Sequence, residues 1–174
     1  EVDTTFPVPV FANPTTNSSN LSQNFIQANL SFSDKNLGTA NISLFNSTRN
    51  IINSTAGTSS TLFINFTGLA DGTYYLNASV NDTAGNKNQT ETRIIVLDTT
   101  PPNITSLNEF PSEPQNYSST QFYSFNASVI DAGNVVDDVR FEWNGVTNYT
   151  PVNSTANPSI FNFNRSAKLV VCDN

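Results

Sequence analysis

Gly72-Thr73-Tyr74-Tyr75-Leu76-Asn77-Ala78-Ser79-Val80-Asn81 carries the clearest strand pattern in the chain. In an extended chain, successive side chains point to opposite faces of a sheet, so every second residue shares one environment. The two faces here differ in character, with Tyr74, Leu76, Ala78 and Val80 on one and Asn77 and Asn81 on the other. This alternation predicts a strand over 73–81 with one buried and one solvated face.

The same alternation recurs along the first part of the chain, between short polar segments rich in Gly, Asn, Asp and Pro. No stretch keeps a helical period for more than a turn or two. The predicted strands are Pro7–Ala12, Asn24–Phe32, Thr39–Phe45, Thr61–Thr67, Thr73–Asn81 and Thr90–Leu97, with a weaker one near Asn50–Asn53. Seven strands in about 97 residues is the strand content of a β-sandwich.

The opening of the chain is repeated past its middle. Asp3-Thr4-Thr5-Phe6-Pro7 returns as Asp98-Thr99-Thr100-Pro101-Pro102. Further matches lie 97 positions apart, where Phe25, Asn29, Ser31, Asp34, Asn65 and Phe66 correspond to Phe122, Asn126, Ser128, Asp131, Asn162 and Phe163. Such a period is too long for a solenoid repeat and fits a whole domain. We therefore expect two all-β domains, 1–98 and 99–174.

The second domain is predicted to resemble the first up to its last strands. Its predicted strands are Ile104–Glu109, Gln121–Ile130, Val136–Trp143, Val146–Thr150 and Ser159–Asn164, and Asn144-Gly145 predicts a type I′ hairpin turn. After Phe163 the sequence departs from the first unit, so we expect the final strands to be missing. Either the chain is a fragment of a longer protein, as its start at Glu1 without Met also indicates, or another molecule supplies a strand.

Composition excludes several classes of function. The 7 basic and 14 acidic residues give a net charge of −7, which does not favour nucleic-acid binding. No apolar run approaches the roughly 20 residues of a membrane-spanning helix. With no His and a single Cys, Cys172, the usual serine, cysteine and zinc hydrolase centres cannot be built. We expect no enzymatic activity.

Asparagine is the most informative residue type. The chain has 27 Asn, 20 Ser and 21 Thr, for which chance would give about 6 Asn-x-Ser/Thr glycosylation sequons. It has 16, at Asn17, Asn20, Asn29, Asn41, Asn46, Asn53, Asn65, Asn77, Asn81, Asn88, Asn103, Asn116, Asn126, Asn148, Asn153 and Asn164. The members on the clearest predicted strands all fall on the polar face, where glycans would not enter a core. The alternative is that Asn, Ser and Thr are merely plentiful in loops and strand faces.

Leu69-Ala70-Asp71-Gly72-Thr73-Tyr74-Tyr75-Leu76 resembles the corner before the penultimate strand of immunoglobulin-like and fibronectin-type-III-like sandwiches. Together with the Asp82-Thr83-Ala84-Gly85-Asn86 loop and the Asp98-Thr99-Thr100-Pro101-Pro102 junction, it is similar to tandem Ig-like repeats of large bacterial and archaeal surface proteins. The resemblance covers residues 1–100 and about two-thirds of a second unit. It implies tandem immunoglobulin-like β-sandwiches in which a corner Tyr bonds back to the backbone.

The resemblance also implies a possible cation site. In similar repeats, acidic residues at domain junctions can hold Ca²⁺, which takes oxygen ligands. Asp82 and Asp98 are the candidates here, with Asn86 beside them, and we expect both Asp to lie at the same end of the first sandwich. Asp3 and Asp131 would correspond to them at other junctions. The alternative is that Asp82 and Asp98 only cap turns.

These observations predict an extracellular, heavily N-glycosylated cell-surface module, and the sequon density favours an archaeal source. Its role would be structural or adhesive, as a stalk, lattice or spacer whose partners are neighbouring repeats or other copies. One alternative is a filament subunit in which the segment 6–11 of one copy adds as a strand to the next copy. Another is a carbohydrate-binding accessory module that binds surface glycans.

Overall fold

The computed structural model describes residues 2–112, 124–131, 141–143, 147–149, 152–153 and 161–162. The described residues form strands and no helix, which confirms the predicted all-β class. The strands are β1 Val8–Ala12, β2 Ser19–Leu21, β3 Phe25–Ser33, β4 Leu37–Phe45, β5 Ile51–Gly57, β6 Thr61–Thr67, β7 Gly72–Asp82, β8 Lys87–Gln89, β9 Arg93–Leu97, β10 Asn103–Phe110, β11 Ser124–Ile130, β12 Phe141–Trp143, β13 Thr147–Tyr149, β14 Val152–Asn153 and β15 Phe161–Asn162. The chain divides into two compact units, Glu1–Thr99 and Thr100–Asn174.

Two sheets make up the first unit. One has the order β1-β3-β6 and is antiparallel throughout. The other has the order β2-β9-β7-β4-β5, with β8 also paired to β7, and its only parallel pairing in the described structure joins β2 to β9. The N-terminal segment therefore contributes a strand to each sheet: β1 belongs to the first sheet, and β2, which follows Ala12, belongs to the second.

The core of the first unit lies between these two sheets. Its side chains come from the apolar faces of β1, β3, β4, β6, β7 and β9, and β5 contributes none: the buried hydrophobic residues are Phe11, Ile26, Ala28, Leu30, Phe32, Ala40, Ile42, Leu44, Phe66, Tyr74, Leu76, Ala78, Val80, Ile95 and Leu97. Burial of this apolar surface is the main favourable contribution to the stability of a sandwich of this size. The inward face predicted for β7 is confirmed, and the same alternation in β3 and β6 gives these strands their buried faces.

The predicted strands of the first unit are present in the structure, but β2 was not predicted, β5 is longer than the weak strand predicted near Asn50–Asn53, and the last predicted strand is divided. The predicted strand Thr90–Leu97 is interrupted, because the buried Thr90 lies between β8 and β9. Its backbone amide donates to the carbonyl of Ala78 at 2.9 Å, and its Oγ1 accepts from the Ala78 amide at 3.0 Å. A side chain therefore replaces a backbone ladder bond, which alternation alone does not reveal.

The second unit is described as three antiparallel strand pairs. β10 pairs with β11, β12 with β13, and β14 with β15. The hairpin predicted around Asn144-Gly145 is confirmed as the β12–β13 pair, but Trp143 lies opposite Thr147, so three residues connect the strands instead of two. The turn itself and the segment 165–172, on which the prediction of missing strands rests, lie outside the described residues.

Candidate functional site

The corner at the start of β7 is formed as the resemblance implied. The Tyr74 hydroxyl donates a 2.8 Å hydrogen bond to the carbonyl of Ala70, and the ring is buried in the core. Burial raises the pKa of Tyr74 above its ordinary value of 10.0, and the nearby Asp71 charge adds to the effect. Asp71 Oδ1 also accepts two bonds from Thr99, from the amide and the hydroxyl, each at 2.9 Å. Hydrogen bonds from Thr99 to Asp71 thus connect the C-terminal end of the first unit to the corner.

Three aspartates meet at the opposite end of the same sandwich. Asp3 precedes β1, Asp34 directly follows β3, and Asp82 ends β7. One carboxylate oxygen from each lies within 4.8 Å of the other two. The antiparallel pairing of β1 with β3, and of Leu37 with Asp82, brings these chain segments to one edge. We call this set the aspartate cluster.

Asparagine amides and backbone amides connect the aspartate cluster. Asn36 donates through Nδ2 to Asp3 Oδ2 at 2.5 Å and through its backbone amide to Asp34 Oδ1 at 2.7 Å. Asn86 donates to both oxygens of Asp82, at 2.8 Å from the amide and 2.7 Å from Nδ2. The bond from Asn36, followed by one from the Thr5 amide, lowers the pKa of Asp3 below 3.8. The two asparagines thus connect the turn after β3 and the turn after β7 to the segment before β1.

The aspartate cluster has more acceptor capacity than the chain satisfies. Asp82 is only 2% exposed, and Asp34 Oδ2 is buried without a hydrogen-bond partner among the described residues. Ionised carboxylates at such distances repel one another in a partly desolvated setting. Two oxygens on opposite sides of one Ca²⁺ lie about 5 Å apart, so a spacing within 4.8 Å allows one ion to contact all three side chains.

Gly38 fixes the backbone beneath the aspartate cluster. A Cβ on this residue would lie 2.5 Å from the carbonyl oxygen of Asn81 and within 2.8 Å of two backbone atoms of Asp82. The start of β4 can therefore approach the end of β7 only because residue 38 has no side chain. This close contact sets the position of Asp82 relative to the turn that carries Asp34.

The expectation that Asp82 and Asp98 share one end of the sandwich is wrong. Asp98 follows Leu97, which pairs with Gly72 at the start of β7, whereas Asp82 is at the far end of that strand. Ten residues of extended chain separate the two ends by roughly 30 Å. The Asp98 amide instead donates to the Leu21 carbonyl at 3.0 Å. Asp82 therefore meets Asp3 and Asp34, not Asp98.

Asp34 is the ligand candidate that sequence reasoning missed. Its 97-residue recurrence as Asp131 was the available signal, and it served only to define the repeat. Asp131 directly follows β11, as Asp34 directly follows β3. Asp82 does cap a turn, through the Asn86 amide, so the capping alternative describes part of its role.

The sequon asparagines lie where glycans could be attached. Eleven of them have described side chains, and none of these is buried. The exposed ones are Asn17, Asn20, Asn53, Asn65, Asn81, Asn88 and Asn103, and the half-buried ones are Asn29, Asn41, Asn46 and Asn77. The side chains of Asn116, Asn126, Asn148, Asn153 and Asn164 lie outside the described residues. Placement is thus compatible with glycosylation at the exposed positions, whereas the side-chain oxygen of Asn41 is buried.

The two facing sheets and the tyrosine corner define the class of the first unit as an immunoglobulin-like sandwich. The sequence model of the bacterial Ig-like domain matches residues 7–99, and the chain belongs to that family. Domains of this kind are surface or structural modules and are typically not enzymes. No helix in the described ranges is long and apolar enough to cross a membrane.

Comparisons with whole proteins add little to the family match. No curated protein matches the chain. A crystal structure of an engineered protein, determined at 1.98 Å by a structural genomics consortium, is similar with a TM-score of 0.42 and 10% identity. The match covers 53% of this chain and 20% of that one, so the chain spans only a fifth of the other protein's length.

Proposed function

We propose that this chain is an extracellular structural module that separates or connects parts of a cell surface, with N-linked glycans covering its sheets. The observation that carries the proposal is the placement of the sequons, because no sequon asparagine with a described side chain is buried. Only 12% of the residues are charged, so attached sugars would supply much of the surface hydration. The Pro101-Pro102 pair restricts the backbone and favours a stiff junction, which suits a spacer.

Glycopeptide mass spectrometry of native material tests this proposal. We expect sugar on most of the 16 sequons. Occupancy on fewer than a quarter of them would contradict the glycosylated-surface role. The asparagines would then be ordinary polar residues of loops and strand faces.

We further propose that the aspartate cluster of Asp3, Asp34 and Asp82 binds Ca²⁺. The buried, unpartnered Oδ2 of Asp34 and the 4.8 Å spacing of the carboxylates support this role. Bound Ca²⁺ would neutralise the repulsion among the three carboxylates and hold the segment before β1 against the β3–β4 and β7–β8 turns. Affinity should lie in the range of extracellular modules, on the order of 0.1–1 mM.

Calorimetric titration with Ca²⁺ tests the cation site. We expect binding heat for the wild type and for Asp98→Asn, because Asp98 lies at the other end of the unit. Asp34→Asn and Asp82→Asn should each weaken binding at least tenfold, since each removes one of three charged ligands. Equal heats in the wild type and Asp34→Asn, or no heat in either, would contradict Ca²⁺ binding by the aspartate cluster. These residues would then serve only as turn caps.

A carbohydrate-binding role is the second candidate, and one observation favours it. A cavity of about 430 Å³ lies beside the turn after β1 and is lined by Phe25, Gln23, Gln27 and Asn13 among others. An aromatic side chain together with amides is suited to a sugar, which presents both C–H and hydroxyl groups. Glycan-array binding that Phe25→Ala abolishes would support this role.

The filament alternative would require β1 to leave its own sandwich. β1 pairs with β3 over five residues, and Phe11 and the preceding Pro7 are buried in the first unit. A donated segment 6–11 would give up these contacts before joining another copy. Negative-stain imaging distinguishes this alternative from the spacer, because regular fibres would support it and separate particles would not.

A further inference from the structure

Phe63 is a large aromatic side chain that the core does not use. It lies in β6 between Leu62 and Ile64, which pack against the core, and it therefore points to the outer face of the β1-β3-β6 sheet. The side chain is 52% exposed. Leaving this apolar surface in water forgoes the stabilisation that burial would give. Nothing in the fold of the first unit requires an aromatic residue here.

Two sequon asparagines border Phe63 on this outer face. Asn29 lies directly opposite it in β3, where facing Cβ atoms are about 5 Å apart. Asn65 lies two residues further along β6 on the same face, about 7 Å along the strand. A sugar attached to either amide would start within reach of the Phe63 ring.

The hydrogen bonds distinguish the two asparagines. Asn29 Nδ2 donates a 2.6 Å bond to the carbonyl of Asn13, which follows β1. Because β1 and β6 flank β3 on opposite sides, this bond draws the Asn29 amide away from Phe63. Asn65 is exposed, and its side chain makes no hydrogen bond in the described part of the chain. The Asn65 amide is thus the one that is free to present a glycan toward the ring.

We propose that Phe63 is the packing surface for the first sugar of an N-linked glycan on Asn65, so that the glycan becomes part of the sheet's outer face. One face of a pyranose ring presents C–H groups, which carry slight positive charge and are attracted to the negative face of an aromatic ring. The contact would also remove apolar ring surface from water. This inference rests on the proposed glycosylation and assigns a residue to receive the sugar.

Tyr75 and Asn77 show the same spacing on β7, with a different outcome. Tyr75 also points outward, two residues before a sequon asparagine. The guanidinium of Arg49, however, lies 3.8 Å from the centre of the Tyr75 ring and covers one of its faces. Phe63 has no cation or ring stacked on it among the described residues. The Phe63 ring is therefore accessible to a sugar on both sequence and contact grounds, and Asn65 is the sequon asparagine placed to supply that sugar.

β6 is an edge strand, which makes the contact measurable. Among the described strands it pairs only with β3, so local opening of the β3–β6 ladder should limit amide exchange in Thr61–Thr67. A sugar packed on Phe63 should slow that exchange by about two- to tenfold, the range expected for a contact between ring faces. The full chain would be produced in a host that N-glycosylates, and occupancy of Asn65 would be verified first in native material by mass spectrometry.

Hydrogen exchange of matched variants then tests the coupling. Asn65→Gln and Phe63→Thr should each remove the slowing, and the double variant should show no additional loss beyond the single ones. Phe63→Tyr should keep it, because the ring remains. Two controls should leave it unchanged: Phe6→Thr, which removes an aromatic side chain of similar exposure (57%), and Asn20→Gln, which removes a sequon with no aromatic residue two positions earlier.

The outcomes of these experiments distinguish the packing role of Phe63 from the proposed glycosylation on which it rests. Native material without sugar on Asn65 overturns both the glycosylation of this site and the packing role. Sugar on Asn65 with additive effects of the two single variants overturns the packing role alone. If Phe63→Thr instead changes the oligomeric state at equal glycan occupancy, the ring belongs to a contact between copies and the proposal fails.

Discussion

The two ends of β7 differ in how the hydrogen-bonding capacity of their polar groups is satisfied. At the Gly72 end, the Tyr74 hydroxyl bonds to the Ala70 carbonyl and Asp71 accepts two bonds from Thr99. At the Asp82 end, three carboxylates converge and a buried oxygen accepts no bond within the described residues. At the Gly72 end the polar groups named here are paired with one another, whereas the Asp82 end has more hydrogen-bond acceptors than donors. A balanced end is structural, and an end with spare anionic acceptors is suited to a cation.

The largest expected effect of a substitution is at Gly38, on which the cluster end depends. Gly38→Ala should lower the free energy of unfolding by about 2–3 kcal/mol, because its Cβ would meet three backbone atoms that cannot move aside easily. Urea denaturation followed by circular dichroism measures this change. Gly57→Ala is the matched control, since its Cβ would meet only the flexible end of Leu62. Equal losses in both variants would show that the close approach to Asp82 is not the cause.

At the corner end, Tyr74→Phe should lower the free energy of unfolding by about 1–2 kcal/mol. The substitution leaves the Ala70 carbonyl without its donor while keeping the ring in the core. Tyr75→Phe, one residue away on the outer face, should have little effect. Because the pKa of Tyr74 is raised in the folded state, the wild type should also lose stability as the pH rises above about 10, and Tyr74→Phe should lose less.

A smaller effect of opposite sign is expected from neutralising the cluster without Ca²⁺. Asp34→Asn should raise the free energy of unfolding by about 0.5 kcal/mol in chelator, because it removes one of three neighbouring negative charges. Added Ca²⁺ should reverse the order of wild type and variant, since only the wild type keeps all three ligands. Asp71→Asn at the other end should show neither behaviour, because its remaining oxygen still accepts from Thr99. Parallel responses of the two variants would remove the distinction between the ends.

The smallest effect concerns the pH dependence of Asp3. Its folded pKa lies below 3.8, so the interactions of its carboxylate contribute stability above that pH and lose it as the pH falls through the folded pKa. Asn36→Ala should move the Asp3 pKa back toward 3.8, because the bond from Asn36 is the main cause of the depression. Carboxyl chemical shifts followed during an acid titration measure this. A pKa unchanged by Asn36→Ala would assign the depression to the Thr5 amide instead.

The sequence was sufficient for those parts of the fold that follow from alternation. The inward faces of β3, β6 and β7 are directly visible in the spacing of their apolar residues, and the corner Tyr follows from a local motif. β2 was missed because Ser19-Asn20-Leu21 has one apolar residue and forms only by pairing with β9. Of the aspartate cluster, the sequence analysis named Asp82 and Asp3 but grouped Asp82 with Asp98, because the grouping depends on which strand ends meet. That is a property of topology, which no local pattern contains.

The parallel pairing of β2 with β9 has a mechanical consequence. β2 lies near the entry of the chain into the first unit and β9 at its exit, and Ser19–Leu21 runs alongside Ile95–Leu97 in the same direction. Tension applied along the chain would slide these two strands past each other instead of peeling them apart, so their hydrogen bonds would share the load and break together. A module built this way resists pulling more than its modest number of bonds indicates. Single-molecule stretching should therefore find that the unit yields at a lower force in Leu21→Pro, because the Leu21 carbonyl accepts from the Asp98 amide and the Leu21 amide faces the same neighbour, β9.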